Sequence, residues 1–412
     1  MKFTCRSCGN IELLPILSLG YVPLANALLT REQLSQPEEK IPLDLVFCPQ
    51  CALVQITETV SPEKLFREYL YFSSFSDTVL DNAREITNRL LLRCGLDKDS
   101  LVVEVASNDG YLLRNYQEKG ISVLGVEPAR NIAKVAEQRG ILTVTEFFSL
   151  ELAEQLRSRG KAADIIHANN VVAHVADVHS VVAGMAVLLK PDGVAVVENH
   201  YVKDMIDHTE FDAIYHEHVC YYSATSFRNL FARHGLIMVD AEHVPIHGGS
   251  LRVYFQREDG PRSLEQEGRA RVESLIQEEE HRCVDRFSFY KEFGEKVEHL
   301  RVELLKLLRD IKTQGKRIAV YGASAKSTTL LNYYGIGSET LDFVVDRSTV
   351  KQGLYTPGTH LPILPPRALK EQQPDYVLLL TWNFAEEILA QQTEYRKRGG
   401  KFVIPIPDLK VV

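Results

Sequence analysis

The chain has 412 residues, 45% of them hydrophobic and 25% charged, with a formal net charge of −8. That length exceeds one hydrophobic core and predicts two or three domains. The acidic balance excludes a binder that works by neutralising nucleic-acid phosphates, and no apolar run approaches the roughly 20 residues that span a bilayer.

The N-terminus carries no basic-plus-apolar leader, so a cytoplasmic protein is expected. Residues 1–66 hold Cys5-Arg6-Ser7-Cys8 and Cys48-Pro49-Gln50-Cys51, two C-x2-C pairs about forty residues apart. Each pair can grip one ion with two thiolates, and two pairs complete a closed, structural four-cysteine zinc site. A closed site stabilises a small module with little core of its own. Cys94, Cys220 and Cys283 fit no ligand pattern and read as small buried hydrophobes.

After a helical connector at 61–94, strand-like runs LVVEVA, SVLGVE, LTVTE, ADIIHA and VAVVEN alternate with helical stretches from Leu101 onward. That alternation predicts a parallel, doubly wound α/β sheet. Residues 205–260 are turn-rich, and 260–315 have the charge and period of one or two long solvated helices. From Lys316 a second Rossmann-like unit opens with RIAVYG, a small-residue loop and a helix. The expected division is 1–66, 67–204 and 205–412, with the last α/β core at 315–412.

Ligands of such sheets bind beyond the carboxyl ends of the strands, against backbone N–H groups and helix N-termini. In the first unit that place is Ser107-Asn108-Asp109-Gly110. Glu127 ends the next strand, where a carboxylate reaches ribose hydroxyls. Glu104 lies inside a strand, an odd place for a carboxylate unless it organises polar ligand contacts, and Asn169, Asn170 and His174 fall on the same rim. In the second unit, Tyr321-Gly322-Ala323-Ser324-Ala325-Lys326-Ser327-Thr328 combines small residues, hydroxyls and one cation, suited to phosphate without the spacing of a Walker loop. Asp346 ends the following strand.

Between the two units lies Tyr215-His216-Glu217-His218, a phenol, two imidazoles and a carboxylate in succession. Imidazole is the commonest general base near neutral pH. On a strand His216 and His218 would share a face and could instead ligate a metal. Other readings are O-methylation of a sugar nucleotide, a non-catalytic sugar-nucleotide binder, and an NAD-dependent redox enzyme.

Taken with LGYVPLAN, YFSSFS, EVASNDGYLL, GVEPARN, HANNVVAHV, EFDAIYHEHVCYYS, HGGSLRVY, YGASAKSTTLLNYYGIG, VVDRSTVKQGLYTPGTHLPIL and TWNFAEEI, the chain resembles the S-adenosylmethionine-dependent C-methyltransferases of nucleotide-linked 4-keto deoxysugars. The resemblance covers essentially the whole chain. It implies structural zinc on Cys5, Cys8, Cys48 and Cys51. The donor would be held by Tyr71, Ser76, Glu104, Ala106, Ser107, Asn108, Asp109, Gly110, Glu127, Pro128, Phe147, Asn169, Asn170 and His174. It places the base on His218, assisted by Tyr215 and Glu217. A nucleotide-diphosphate sugar would lie against His247, Ser250, Arg252, Gly322, Ala323, Ser324, Lys326, Asp346 and Arg347. Ser327-Thr328 stands where relatives more often carry Gly-Asn.

Overall fold

The computed structural model describes residues 3–246 and 248–412, and three sheets organise them. In the first, β1 (Leu14–Pro23), β2 (Lys40–Phe47) and β3 (Val54–Ile56) form an antiparallel meander. A short strand from mid-chain, β9 (Cys220–Tyr221), completes it by pairing with β3. The segment just after the Tyr215–His218 tetrad is therefore a strand of the cysteine module.

The second sheet is the expected parallel one: β4 (Leu101–Val105), β5 (Ser122–Val126), β6 (Thr143–Val144), β7 (Ala163–Asn169) and β8 (Leu189–His200). Its strands read as nearly continuous apolar runs because helices cover both faces. The antiparallel pair β10 (Leu236–Val244) and β11 (Ser250–Arg257) extends it, in the order β10-β11-β8-β7-β4-β5-β6. This sheet thus takes in strands well beyond residue 204. Sequence order reverses between β4 and β7, which makes the crevice beyond their carboxyl ends the ligand position.

The third sheet repeats that logic. β12 (Ile318–Tyr321), β13 (Val344–Val345), β14 (Ile363–Leu364), β15 (Tyr376–Leu379) and β16 (Lys401–Ile404) are parallel, and β17 (Lys410–Val411) adds an antiparallel edge. The order is β14-β13-β12-β15-β16-β17, so its switch point lies between β12 and β15.

Two long helices, Glu265–His281 and Phe293–Thr313, fill the charged stretch between the second and third sheets. The second buries Phe293, Val297, Leu300, Leu304, Leu308 and Ile311, a stripe at helical spacing that docks an otherwise polar rod. From the first, Glu279 is fully buried and accepts hydrogen bonds from the Tyr201 hydroxyl (2.8 Å), the Ala224 and Thr225 amides (2.7 and 2.8 Å) and the Thr225 hydroxyl (2.7 Å). This carboxylate and the Ser223–Ser226 capping box fix the helix Ala224–Ala232 immediately downstream of the tetrad. One apolar core runs through all three sheets, joining Phe47, Val105, Phe211 and Val344. Among the described residues no helix is long and apolar enough to cross a membrane.

Candidate active site and zinc centre

The four cysteine sulfurs of the first module all lie within 4.8 Å of one another. Cys5–Cys51 and Cys8–Cys48 approach to 3.4 and 3.5 Å, too far for disulfides and close to the ~3.8 Å sulfur–sulfur edge of a tetrahedral zinc thiolate. Both knuckles are built alike: the Gly9 amide donates to the Cys5 carbonyl and the Ala52 amide to the Cys48 carbonyl, each at 2.9 Å. Gly9 and Ala52 each turn through positive φ (75° and 62°) to let the second thiolate swing inward. Cys5, Cys48 and Cys51 are buried, so the donor set fits a closed structural ion with no open position.

Both switch points open onto one cavity of about 780 Å³. Ala106, Asn108, Glu127, Asn169 and Asn170 line it from the second sheet, and Gly322, Ser324, Lys326 and Asp346 from the third. On the first side, the loop after β4 holds Ala106, Asn108 and Gly110 at φ of 50°, 50° and 77°. Only glycine adopts that region without strain, and the cost is the kind tolerated where backbone must face a ligand. The Asn108 and Ala129 amides both donate to the Glu127 carboxylate at 2.8 Å, and burial lifts that carboxyl to about 7 against those two bonds. Beneath the loop, burial and then the Glu127 and Asp109 charges push Glu104 well above the carboxylate range. Glu104 Oε2, Ser107 Oγ and Asp109 Oδ1 are buried without hydrogen-bond partners among the described residues, but none of these three side chains lines the cavity, so Glu104 lies beneath the ligand position and not in it. Tyr71, Ser76, Pro128, Phe147 and His174 also line the cavity, so the donor-side residues converge. Ser107, Asp109 and Gly110 shape the loop from behind: the Asp109 carboxylate pairs with Arg139 at 2.9 Å.

The opposite wall has matching construction. Asp346 accepts from the Ala323 and Ser348 amides at 2.8 Å each, as Glu127 does on the other side. Gly322, at φ 102°, passes so close to Thr381 that a Cβ would meet its methyl at 2.4 Å. Lys326 Nζ has no hydrogen-bond partner among the described residues and sits 4.1 Å from the Trp382 ring centroid. The Trp382 indole N–H in turn donates to Asp212 at 2.7 Å. This ammonium lies over a ring face and within electrostatic reach of the Glu210 and Asp212 carboxylates, yet its N–H donors stay free for an anionic ligand.

The tetrad is a turn rather than a strand: the His218 amide donates to the Tyr215 carbonyl at 2.9 Å. That turn brings the Tyr215 and His218 rings to a centroid distance of 4.0 Å, with the phenol oxygen 2.7 Å from His218 Nε2. His218 Nδ1 donates to the Ala213 carbonyl at 3.0 Å, leaving Nε2 as the basic nitrogen. Burial, then the charges of His174 and His200, holds this imidazole well below its ordinary pKa, so it is neutral. Burial, then Glu217, pushes the Tyr215 phenol well above its ordinary value. Glu217 lifts to about 7 by burial, drawn back by hydrogen bonds from Asn26 and Tyr69 and by the Lys351 charge. His216 turns the other way and bonds the Pro42 carbonyl at 3.0 Å, which removes it from any metal pair with His218.

Two residues expected on the sugar nucleotide lie elsewhere. Arg252 is 1% exposed and pairs across the sheet with Glu198, Nη2 to Oε2 at 2.6 Å, with Asn82 on its other side at 2.7 Å. Ser250 is buried and donates to the Ile246 carbonyl at 3.0 Å. Both sit in β11, a central strand covered on both faces, so neither lines the cavity. Arg347 does line it, paired with Glu387 at 2.7 Å, whereas Ala323 contributes only its amide to Asp346; His247 lies outside the described residues. Sequence reasoning missed Asn26, Tyr69, His200, Lys351 and Trp382, all of which bear on the cavity or its electrostatics. His200 was the readable one, because it ends β8 on the carboxyl side where ligands bind.

Two switch-point crevices thus face each other across one cavity, with the Tyr215–His218 pair in its wall. Three family models divide the chain: "Putative zinc binding domain" at residues 5–66, "Methyltransferase domain" at 79–241 and "C-methyltransferase C-terminal domain" at 245–407. The chain belongs to this zinc-binding family of C-methyltransferases. Over 408 residues it is 36% identical to the C-methyltransferase NovU of Streptomyces niveus, an alignment spanning 99% of this chain and 96% of that one. A ubiquinone biosynthesis O-methyltransferase of Bartonella tribocorum is 29% identical over 151 residues, 34% of this chain and 58% of that one. Magnesium protoporphyrin IX methyltransferase of Synechocystis PCC 6803 covers 43% of this chain and 83% of its own at 12% identity and a TM-score of 0.35.

Proposed function

We propose that this C-methyltransferase acts on the carbon beside the ketone of a nucleotide-diphosphate-linked 4-keto deoxyhexose, C3 in the first instance and C5 as the alternative. The observation that carries the reading is the Tyr215–His218 pair, set in the one cavity onto which both switch-point crevices open. The nucleotide diphosphate lies along the third-sheet wall, its charge met by Lys326 and the helix N-terminus at Ser324. Ribose hydroxyls fit Glu127 on one wall and Asp346 on the other. S-adenosylmethionine supplies, when bound, an electrophilic methyl group.

A 4-ketone acidifies the neighbouring C–H because the electron pair left on carbon delocalises onto the ketone oxygen as an enolate. His218 Nε2 takes that proton. Its Nε2 lone pair is free of a proton at neutral pH, although burial makes it a weaker base than a free imidazole. Position supplies its advantage, and positioned acid–base groups are worth about 10²–10⁴ in rate. Tyr215 turns its hydroxyl from Nε2 to the enolate oxygen; stabilising that oxygen is commonly the largest single contribution. Its raised pKa keeps the phenol protonated and therefore a donor. Glu217 accepts a sugar hydroxyl and, through its backbone carbonyl, holds His174 Nδ1 at 2.7 Å.

The test incubates the enzyme with methyl-labelled S-adenosylmethionine and either a dTDP-4-keto-6-deoxyhexose or its 4-hydroxy counterpart. A carbon-bound methyl from the keto sugar alone is expected. A methyl ether, or equal turnover of the two, would replace this reading with O-methylation.

A further inference from the structure

Resting on the placement of Glu217 in the active site, we propose that Asn26, from the zinc-binding module, is a positioning residue that orients the Glu217 carboxylate and favours its ionised form. The module is thereby part of the catalytic apparatus as well as a scaffold.

Asn26 lies in the loop after β1, 191 residues from Glu217, and lines the cavity. Its side-chain amide donates to both carboxylate oxygens, at 2.9 Å to Oε1 and 2.7 Å to Oε2. The loop that presents it is stitched to the C-terminal unit on both sides. The Ala25 carbonyl accepts the Thr328 hydroxyl at 2.9 Å, and Leu29 and Tyr355 exchange backbone hydrogen bonds at 2.9 and 2.8 Å. Neither contact is needed to bind zinc; both fix the direction in which Asn26 points.

The chemistry suits an amide. Glu217 is 3% exposed, so it has little water to sustain its charge. Its neighbours come from every side: Tyr69 from the connector, Lys351 from the C-terminal unit, and Tyr215, His174 and His218 from around the tetrad. Of these, Lys351 contributes charge and also donates to the Ala323 carbonyl at 2.8 Å, and His174 and His218 are held neutral by burial. Asn26 is the neighbour that touches both carboxylate oxygens, and N–H donors favour the ionised form without introducing a charge that would cancel it.

The experiment titrates Glu217 in the zinc-loaded full chain by infrared difference spectroscopy, using Glu217→Gln to identify its carboxyl band. The same variants are assayed for solvent-deuterium exchange into a dTDP-4-keto-6-deoxyhexose across pH. Losing hydrogen bonds to a charged group should move the Glu217 titration up by about 1–2 pH units in Asn26→Ala. Asn26→Asp keeps the shape and removes the donors; it should shift the band at least as far and carries the test if Asn26→Ala does not fold. The acidic limb of the exchange profile should move with the band, and in a Glu217→Gln background either substitution should have no further effect. An unmoved band in both variants, or losses that multiply independently with Glu217→Gln, would overturn the proposal. If Glu217→Gln alone leaves exchange and methylation intact, the site reading fails instead.

Discussion

Replacing Arg252 by methionine should cost stability, not substrate affinity. In the folded chain Arg252 Nε and Nη2 reach Glu198 Oε2 at 2.8 and 2.6 Å, and Nη2 also donates to Asn82 at 2.7 Å. Strand register explains the pairing: Arg252 on β11 stands directly opposite Glu198 on β8 and Glu242 on β10. Arg252→Met leaves the Glu198 carboxylate, 2% exposed, with the Asn82 amide at 3.3 Å as its one remaining hydrogen-bond donor among the described residues. Stripping one partner from a buried ion pair costs about 3–5 kcal/mol, whereas replacing both partners with apolar residues is close to neutral. Urea denaturation should therefore show a loss of about 3–5 kcal/mol in Arg252→Met, most of it restored by adding Glu198→Leu. A loss under about 1 kcal/mol together with a weakened Kd for the sugar nucleotide would refute the reasoning and return Arg252 to the ligand.

Cys51→Ser should abolish stoichiometric zinc and lower the melting temperature, as measured by metal analysis and calorimetry, because a closed four-thiolate site contributes folding energy directly. Undiminished zinc in that variant would remove Cys51 from the ligand set. Glu127 has a folded pKa of about 7, lifted by burial, so it accepts ribose hydroxyls fully only above that pH. Calorimetric Kd values for S-adenosylhomocysteine should therefore weaken as pH falls through 7, approaching tenfold per unit, and a flat Kd between about pH 6 and 8 would contradict this. Lys326→Met should weaken dTDP binding by about 1.5–3 kcal/mol, tenfold or more, through loss of a charged hydrogen-bond donor. Unchanged dTDP affinity would place the diphosphate elsewhere.

Much of this architecture was legible from local pattern. Each β4-to-β8 strand is an apolar run ended by a turn signal, and the Cys5/Cys8 and Cys48/Cys51 spacing announces its own geometry. That Asn108 and Glu127 share one cavity wall was readable because both belong to one βαβ unit, where strand and helix fix their separation. What escaped depends on contacts far apart in the chain. Asn26 ends LGYVPLAN and Lys351 lies in VVDRSTVKQG, both runs that carry the resemblance, but neither run tells that its polar residue meets Glu217, 191 residues from Asn26. Arg252 was expected on the sugar nucleotide because it falls in HGGSLRVY, one of the runs that carry the resemblance, whereas it forms a charge pair within the sheet. Strand β11 is covered on both faces, with Leu251, Val253 and Phe255 in one core cluster and Tyr254 in the other. The tetrad misled in one respect: period-2 reasoning put His216 beside His218, whereas the turn sends His216 to Pro42.

In the proposed reaction His218 removes the proton next to the ketone, and proton exchange reports that step without methyl transfer. In deuterium oxide, with a dTDP-4-keto-6-deoxyhexose and S-adenosylhomocysteine, the wild-type chain should wash deuterium into the acidic carbon, followed by NMR. His218→Gln, which keeps a polar side chain without the basic nitrogen, should lose both this exchange and methylation. Exchange at the wild-type rate in His218→Gln would contradict the account and assign the base to another residue of the cavity.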